Sequence, residues 1–212
     1  MDTFNKLIEL FRRFPGIGPR QAKRFVYFLL SGDKPFLEGL VSMISALKRE
    51  ITQCQECFHF FGSSLGIVKS AHEQVTALCH ICTDKNRGDE ELMVVAKDID
   101  LEAMEKSNTY RGRYFVLGGL ISPMERRNPD KPRLRELQIR VGKGVKSGML
   151  KEIILALSAN PDGEHTSDEL KRMLSEFPVK VSILGRGLST GSELEYADKE
   201  TLKSALKNRS TS

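Results

Sequence analysis

All four cysteines of this 212-residue chain fall in one short window, as two Cys-x-x-Cys pairs: Cys54 with Cys57, and Cys79 with Cys82. A secreted scaffold held by disulfides spreads and multiplies its cysteines, and this chain does neither. Each pair has the spacing of a metal knuckle, and two knuckles can clamp a tetrahedral ion from opposite sides. Four thiolates leave no coordination position open, so the expected cofactor is one structural, non-catalytic Zn2+ per chain. The pairs are separated by 21 residues, enough for a short hairpin. The same spacing admits an iron–sulfur cluster, or four reduced thiols with no metal at all. Thiols kept out of disulfides fit a reducing compartment, and a cytoplasmic protein is expected. His59 and His80 lie nearby, but both pairs are complete without them. That leaves the two rings to exposure or a local hydrogen bond.

Either side of this window the apolar residues recur with different periods. Over 1–53 the period is helical. Leu7, Ile8, Leu10, Phe11 and Phe14 form one stripe, and Pro15-Gly16-Ile17-Gly18-Pro19 stops it. Ala22, Phe25, Val26 and Leu29 resume the pattern. A third helix is expected from Pro35 to Ile51, with Phe36, Leu37, Leu40, Ile44 and Leu47 on its buried side. A helical piece of roughly fifty residues buries little surface, so packing against the rest of the chain or another subunit is expected. Over 88–186, Leu92–Ala96, Tyr114–Leu117, Glu152–Leu157 and Val179–Leu184 read as strands, with helical patterns at Asp98–Met104 and His165–Phe177. Such alternation predicts a mostly parallel sheet covered by helices. Ser122–Leu134, rich in Pro and Arg, reads as a surface loop. Arg135–Gly148 is ambiguous, because Gly142, Gly144 and Gly148 weaken a helix there. The tail carries a Gly/Ser/Thr turn, a helix near Lys199–Leu206 and a frayed end. The chain is therefore expected to be a multidomain α+β or α/β protein divided as 1–53, 54–87, 88–186 and 187–212.

The glycine-rich break between the first two helices fits a helix-hairpin-helix. Gly16 and Gly18 permit unusual dihedrals and lack Cβ atoms, so backbone N–H groups there can approach a phosphate. Arg20, Lys23 and Arg24 follow in the first turns and can neutralise neighbouring phosphates without reading sequence. The plainer reading is an αα-corner with solvated cations. With 33 basic and 28 acidic residues the net charge is +5, which tolerates a nucleic acid partner without demanding one. Asp98 and Asp100, and Asp162 and Glu164, lie just past strand ends, where parallel sheets place their sites. They are the candidate Mg2+ ligands for a phosphate chemistry. Against this, Ala96 ends the first strand and Lys97 follows it. Phosphate-binding GxxxxGK[ST] and metal-binding HExxH patterns are absent. No apolar run reaches the ~18 residues of a membrane span.

Taken together, these segments resemble the RecR family of bacterial recombination mediators. The match runs through LFRRFPGIGPRQAKRFVYFLL, the paired cysteines, and Arg113-Tyr114-Phe115-Val116-Leu117-Gly118-Gly119 with Ile121-Ser122-Pro123. It continues through Glu152-Ile153-Ile154-Leu155-Ala156, Asn160-Pro161 and a tail containing Gly185-Arg186-Gly187-Leu188 and Glu193-Leu194-Glu195-Tyr196-Ala197-Asp198. The resemblance implies a helix-hairpin-helix domain, a four-cysteine zinc finger, a Toprim domain and a C-terminal extension that makes oligomer contacts. It implies no catalytic activity. It implies a homodimer or homotetramer that clamps single- or double-stranded DNA and acts with RecO-like and RecF-like repair proteins to help load a recombinase at single-stranded gaps. By the resemblance, Arg20 and Arg24 bind DNA with Lys23 nearby, Cys54, Cys57, Cys79 and Cys82 hold zinc, and Glu164 contacts a protein partner.

The chain departs from the family pattern in places. The gap between its cysteine pairs is longer than usual. Ala96 stands where the first Toprim strand usually ends in Glu. Met124-Glu125-Arg126-Arg127-Asn128-Pro129 replaces a glycine-rich stretch. Two rival readings are a metal-dependent Toprim nuclease or primase-like enzyme using the four acids, and a zinc-stabilised scaffold that never touches DNA.

Overall fold

Asp2 accepts the backbone N–H of Asn5, and Asp33 that of Phe36, each at 2.8 Å. These caps start α1 (Thr3–Phe11) and α3 (Lys34–Glu50) in the computed structural model of the chain. Between them α2 (Pro19–Ser31) starts at Gly18, with Pro19 in its first turn, where a backbone N–H would have no helical partner anyway. The structure describes residues 2–62, 67–69, 75–122, 132–185, 187–188, 191 and 193–209. The chain divides into two units, Met1–Thr52 and Gln53–Ser212.

In the first unit Ala22, Val26 and Ala46 are buried. Edge-to-face ring contacts join Phe11 to Phe25 (5.6 Å between centroids) and Phe28 to Phe36 (5.9 Å). The expected buried side of α3 needs correction. Leu37 and Leu40 are half-buried, but Phe36, Ile44 and Leu47 are 45%, 58% and 56% exposed. Three helices enclose too little interior for every apolar residue, and of α3 only the small Ala46 is fully buried.

Strand β1 (Ile51–Gln53) spans the division, and β2 (Phe60–Gly62) follows in the second unit. An antiparallel hairpin follows, β3 (Ile67–Lys69) and β4 (Val75–Ala77), with Ile67 opposite Ala77. The one-turn helix α4 (His80–Thr83) comes next. The sheet and its helices then alternate: β5 (Glu91–Val95), α5 (Asp98–Ser107), β6 (Arg113–Val116), α6 (Leu134–Lys146), β7 (Glu152–Ala156), α7 (Pro161–Leu174) and β8 (Lys180–Ile183). A short 3-10 turn at Leu194–Tyr196 precedes α8 (Lys199–Lys207), which Asp198 caps.

The strand order is β6-β5-β7-β8, and every pairing is parallel. Side chains alternate across this sheet and sort into two cores. Met93, Val95, Tyr114 and Val116 point to one face, under α5 and the cysteine knuckles, and pack with Leu101, Phe61 and Ile81. Leu92, Val94, Phe115, Leu117, Ile153 and Leu155 point to the other, under α6 and α7, and pack with Leu137, Val141, Leu170 and Leu174. Both faces are covered, which is why β5 reads as an unbroken apolar run.

The ambiguous Arg135–Gly148 stretch is α6. Its buried Leu137 and Val141 outweigh the glycines, and Gly144 allows close contact: a Cβ there would sit 2.9 Å from the Cβ of Leu150. Most of the expected Ser122–Leu134 loop, at 123–131, lies outside the described residues. So do 63–66 and 70–74 between the cysteine pairs, 186, 189–190 and 192 of the expected tail turn, and 210–212 of the expected frayed end. Among the described residues no helix is long and apolar enough to cross a membrane.

Gly163, in the first turn of α7, is sterically fixed. A Cβ there would lie 1.9 Å from the carbonyl oxygen of Ser158. Gly163→Ala is expected to lower unfolding free energy by about 1–3 kcal/mol, the usual range for overpacking. Urea denaturation measures this directly, and an unchanged midpoint contradicts it.

Candidate metal centre and nucleic-acid interface

The first knuckle is a tight turn. The Phe58 N–H donates to the Cys54 carbonyl at 3.0 Å, and the Cys54 N–H to the His59 carbonyl at 2.9 Å. Phe58 closes the turn at φ +63°, a backbone conformation that few non-glycine residues adopt. The second knuckle is helical: Cys79 is the N-cap of α4 and Cys82 sits one turn later, so both thiols project to the same side. The Gln55 N–H donates to the Ala77 carbonyl at 2.9 Å, joining the first knuckle to the end of the hairpin.

These turns bring the four Sγ atoms within 4.8 Å of one another. Cys54, Cys57 and Cys79 are fully buried and Cys82 is half-buried. The Cys57 and Cys79 sulfurs are 3.5 Å apart. Zn–S bonds of about 2.3 Å in a tetrahedron put sulfurs roughly 3.8 Å apart, so the cluster fits the ion with little adjustment. Hydrogen bonds from Cys57, and then from Cys79 and Cys82, hold Cys54 far below the ordinary thiol value against the effect of burial. Cys57, whose proton Cys54 engages, is held far above it. Metal binding takes the ligand thiols in their deprotonated form, so an ion entering this cluster replaces the protons the four thiols carry. The site is that of a single structural zinc. When bound, the ion supplies a rigid crosslink and no open position for chemistry.

Side chains distant in sequence hold the finger to the sheet. His59 is buried, and its Nδ1 lies 2.9 Å from Oδ1 of Asp98; the same oxygen accepts the Phe60 N–H at 2.8 Å. The bond to Asp98 raises the His59 pKa against the opposing effect of burial. Burial pushes Asp98 up, but the bonds from His59 and the Phe60 amide prevail and lower it. Arg87 reaches Glu105 and the Gly112 carbonyl, and Arg113 reaches Asp89 and the second knuckle. None of these pairings has a local sequence signal. His59 was expected only to be exposed or locally bonded, yet its partner lies 39 residues away.

The four acids weighed as candidate Mg2+ ligands do not form a comparable cluster. Asp98 is held by the finger, and Asp100 accepts the Lys97 N–H at 2.9 Å as part of the α5 cap. Asp162 and Glu164 lie in the first turn of α7. Ala96, buried at the end of β5, supplies no carboxylate. Among the described residues, the four cysteines are the only group of three or more potential metal-ligand side chains drawn together. Glu164 borders a groove of about 460 Å³ between α7, the end of β8 and α8, lined also by Ser167, Lys171, Leu184 and Lys207.

In the first unit, Gly16 has φ +74°, which requires glycine, and a Cβ on it would meet open space. Gly18 is a correction: its backbone is ordinary extended (φ −80°, ψ 170°), and its value lies only in a missing side chain at the α2 N-terminus. Arg20, Lys23 and Arg24 are all exposed. Their spacing puts them on one face of α2, which contains no Asp or Glu. The Lys23 ammonium lies 5.9 Å from the ring centre of Tyr27.

A basic helical hairpin, a four-cysteine finger and a parallel sheet covered on both faces define a multidomain protein of the kind that couples a helix-hairpin-helix to a Toprim fold. The Toprim domain profile matches residues 90–185. The profile for the RecR helix-hairpin-helix matches 4–48, and that for the RecR C-terminal region matches 187–210. The chain is 40% identical over 203 residues to the recombination protein RecR of Prochlorococcus marinus strain MIT 9303, covering 96% of this chain and 98% of that one. It is 37% identical over 204 residues to the RecR proteins of Herpetosiphon aurantiacus and Streptococcus pyogenes serotype M5, covering 96% of this chain and 92% and 94% of theirs. The chain belongs to the RecR family, a membership consistent with a role in DNA repair and recombination.

Metal analysis is expected to find one zinc per chain, and Cys57→Ser to abolish it. Stability should fall by more than about 3 kcal/mol, a fraction of the roughly 10–16 kcal/mol that zinc supplies in isolated finger peptides. A Cys57→Ser protein that keeps its zinc and its unfolding midpoint would contradict the site.

Proposed function

We propose that the chain is a non-catalytic DNA-binding mediator. It binds the phosphate backbone through its helical hairpin, closes around DNA as a homodimer or homotetramer, and assists recombinase loading at single-stranded gaps. The observation that carries this reading is the acid-free face of α2, where Arg20, Lys23 and Arg24 stand beside the open Gly16–Gly18 turn. Helix N-terminal amides and flexible cations together bind phosphates without distinguishing bases. The exposed apolar residues of the first unit, among them Phe28, Val41, Met43 and Ile44, support burial against a second copy. The buried zinc holds the finger in place and takes no part in bond breaking.

Glu164 is the proposed contact for a RecO-like or RecF-like partner, at the groove between α7 and α8. Glu164→Lys should abolish co-purification with such a partner while leaving DNA affinity unchanged. Retained co-purification would remove Glu164 from that role.

The DNA face is tested by salt titration. Each phosphate contact contributes about −0.9 to the slope of log affinity against log salt on a duplex. Replacing Arg20 and Arg24 by alanine should flatten that slope by about 2 and weaken binding equally for unrelated sequences. An unchanged slope would place the DNA contact elsewhere.

A further inference from the structure

Both cysteine knuckles are tied to the same strand. At the C-terminal end of β6 the Val116 N–H donates to the carbonyl of the ligand residue Cys57 at 2.7 Å. At its N-terminal end the Arg113 Nη1 donates to the carbonyls of Ile81 at 2.7 Å and Cys82 at 3.2 Å. The Arg113 Nε is fixed by Asp89 at 2.7 Å, and the side chain is only 11% exposed. Because β6 is an edge strand of the sheet, its outer backbone groups are available to the finger.

From this geometry we infer that β6 is a splint for the zinc site, and that Arg113 is the positioning residue that sets the second knuckle against the first. A zinc ion held by four thiolates carries a net negative charge in a buried place. Arg113 supplies a fixed cation bonded to the main chain of one ligand residue, so it both orients the knuckle and offsets that charge. Coupling runs both ways. Zinc pins the sheet edge through Cys57 and Cys82, and the sheet edge preorganises the thiols before zinc arrives. Leu170 of α7 is a built-in contrast. It is fully buried in the core on the other face of the sheet and is not among the residues packed with the cysteines.

The test is zinc competition against a chromophoric chelator on the full-length protein. Arg113→Ala is expected to lower zinc affinity roughly 10–100-fold, the range for lost outer-shell partners, with Arg113→Lys in between. Leu170→Ala should lower the unfolding midpoint while holding zinc like the parent. Wild-type zinc affinity in Arg113→Ala overturns the inference. So does equal zinc loss in Leu170→Ala, which would mark a general effect of destabilisation. If Arg113→Ala fails to fold, amide hydrogen exchange on the unaltered chain decides. Chelation should release protection at Val116 while Val94, in the central strand, keeps its own. Unchanged protection at Val116 rejects the splint.

Discussion

Four thiols within 4.8 Å of one another, three of them fully buried, constrain everything built around them. Protonated, they have little but one another as partners; ionised together without a cation, they repel in a largely buried place. One divalent ion resolves both problems. The consequence extends past the finger, because Cys54, Cys57 and Cys79 are also members of the core on one face of the sheet, with Met93, Val95, Leu101 and Tyr114. The metal centre is therefore part of the wall of that core, and the sheet has a covered face there because the finger is closed.

The same arrangement explains an asymmetry between the faces. On one side α6 and α7 supply long apolar stripes, Leu137 and Val141 from one helix and Leu170 and Leu174 from the other. On the opposite side α5 is shorter and buries only Leu101 fully. The knuckles fill the remainder, and polar braces fix them: His59 to Asp98, Arg113 to the Ile81 and Cys82 carbonyls. Asp98, one of the acids that could have served a metal-dependent reaction, is held by this bracing. A finger packed in this way and a strand β5 followed by Ala96 rather than a carboxylate fit a scaffold that binds and positions better than one that cleaves.

Most of this was legible in the sequence. The helical period of the first fifty-odd residues, the unbroken apolar strands and the Cys-x-x-Cys spacing each report a local physical requirement, and the helices, the parallel sheet and the thiol cluster follow from them. Three features were not legible. The face of α3 was misjudged because periodicity shows that a stripe exists, not that a partner covers it: Ile44 and Leu47 remain exposed. The helix at 134–146 was obscured by Gly142 and Gly144, whose role is set by Leu150 packing against one of them. The braces were invisible because His59–Asp98 and Arg113–Ile81 join residues 39 and 32 positions apart, and one sequence carries no signal for such pairs.

The proposed function requires a zinc-braced oligomer to hold DNA by its phosphates. The most direct test is light scattering on zinc-loaded protein, alone and with a short duplex, at low and moderate salt. The account predicts an assembly of more than one chain that takes up the duplex at low salt and releases it as salt rises. An intact oligomer that never gains the mass of the duplex, even at low salt, would contradict it and leave a protein scaffold in its place.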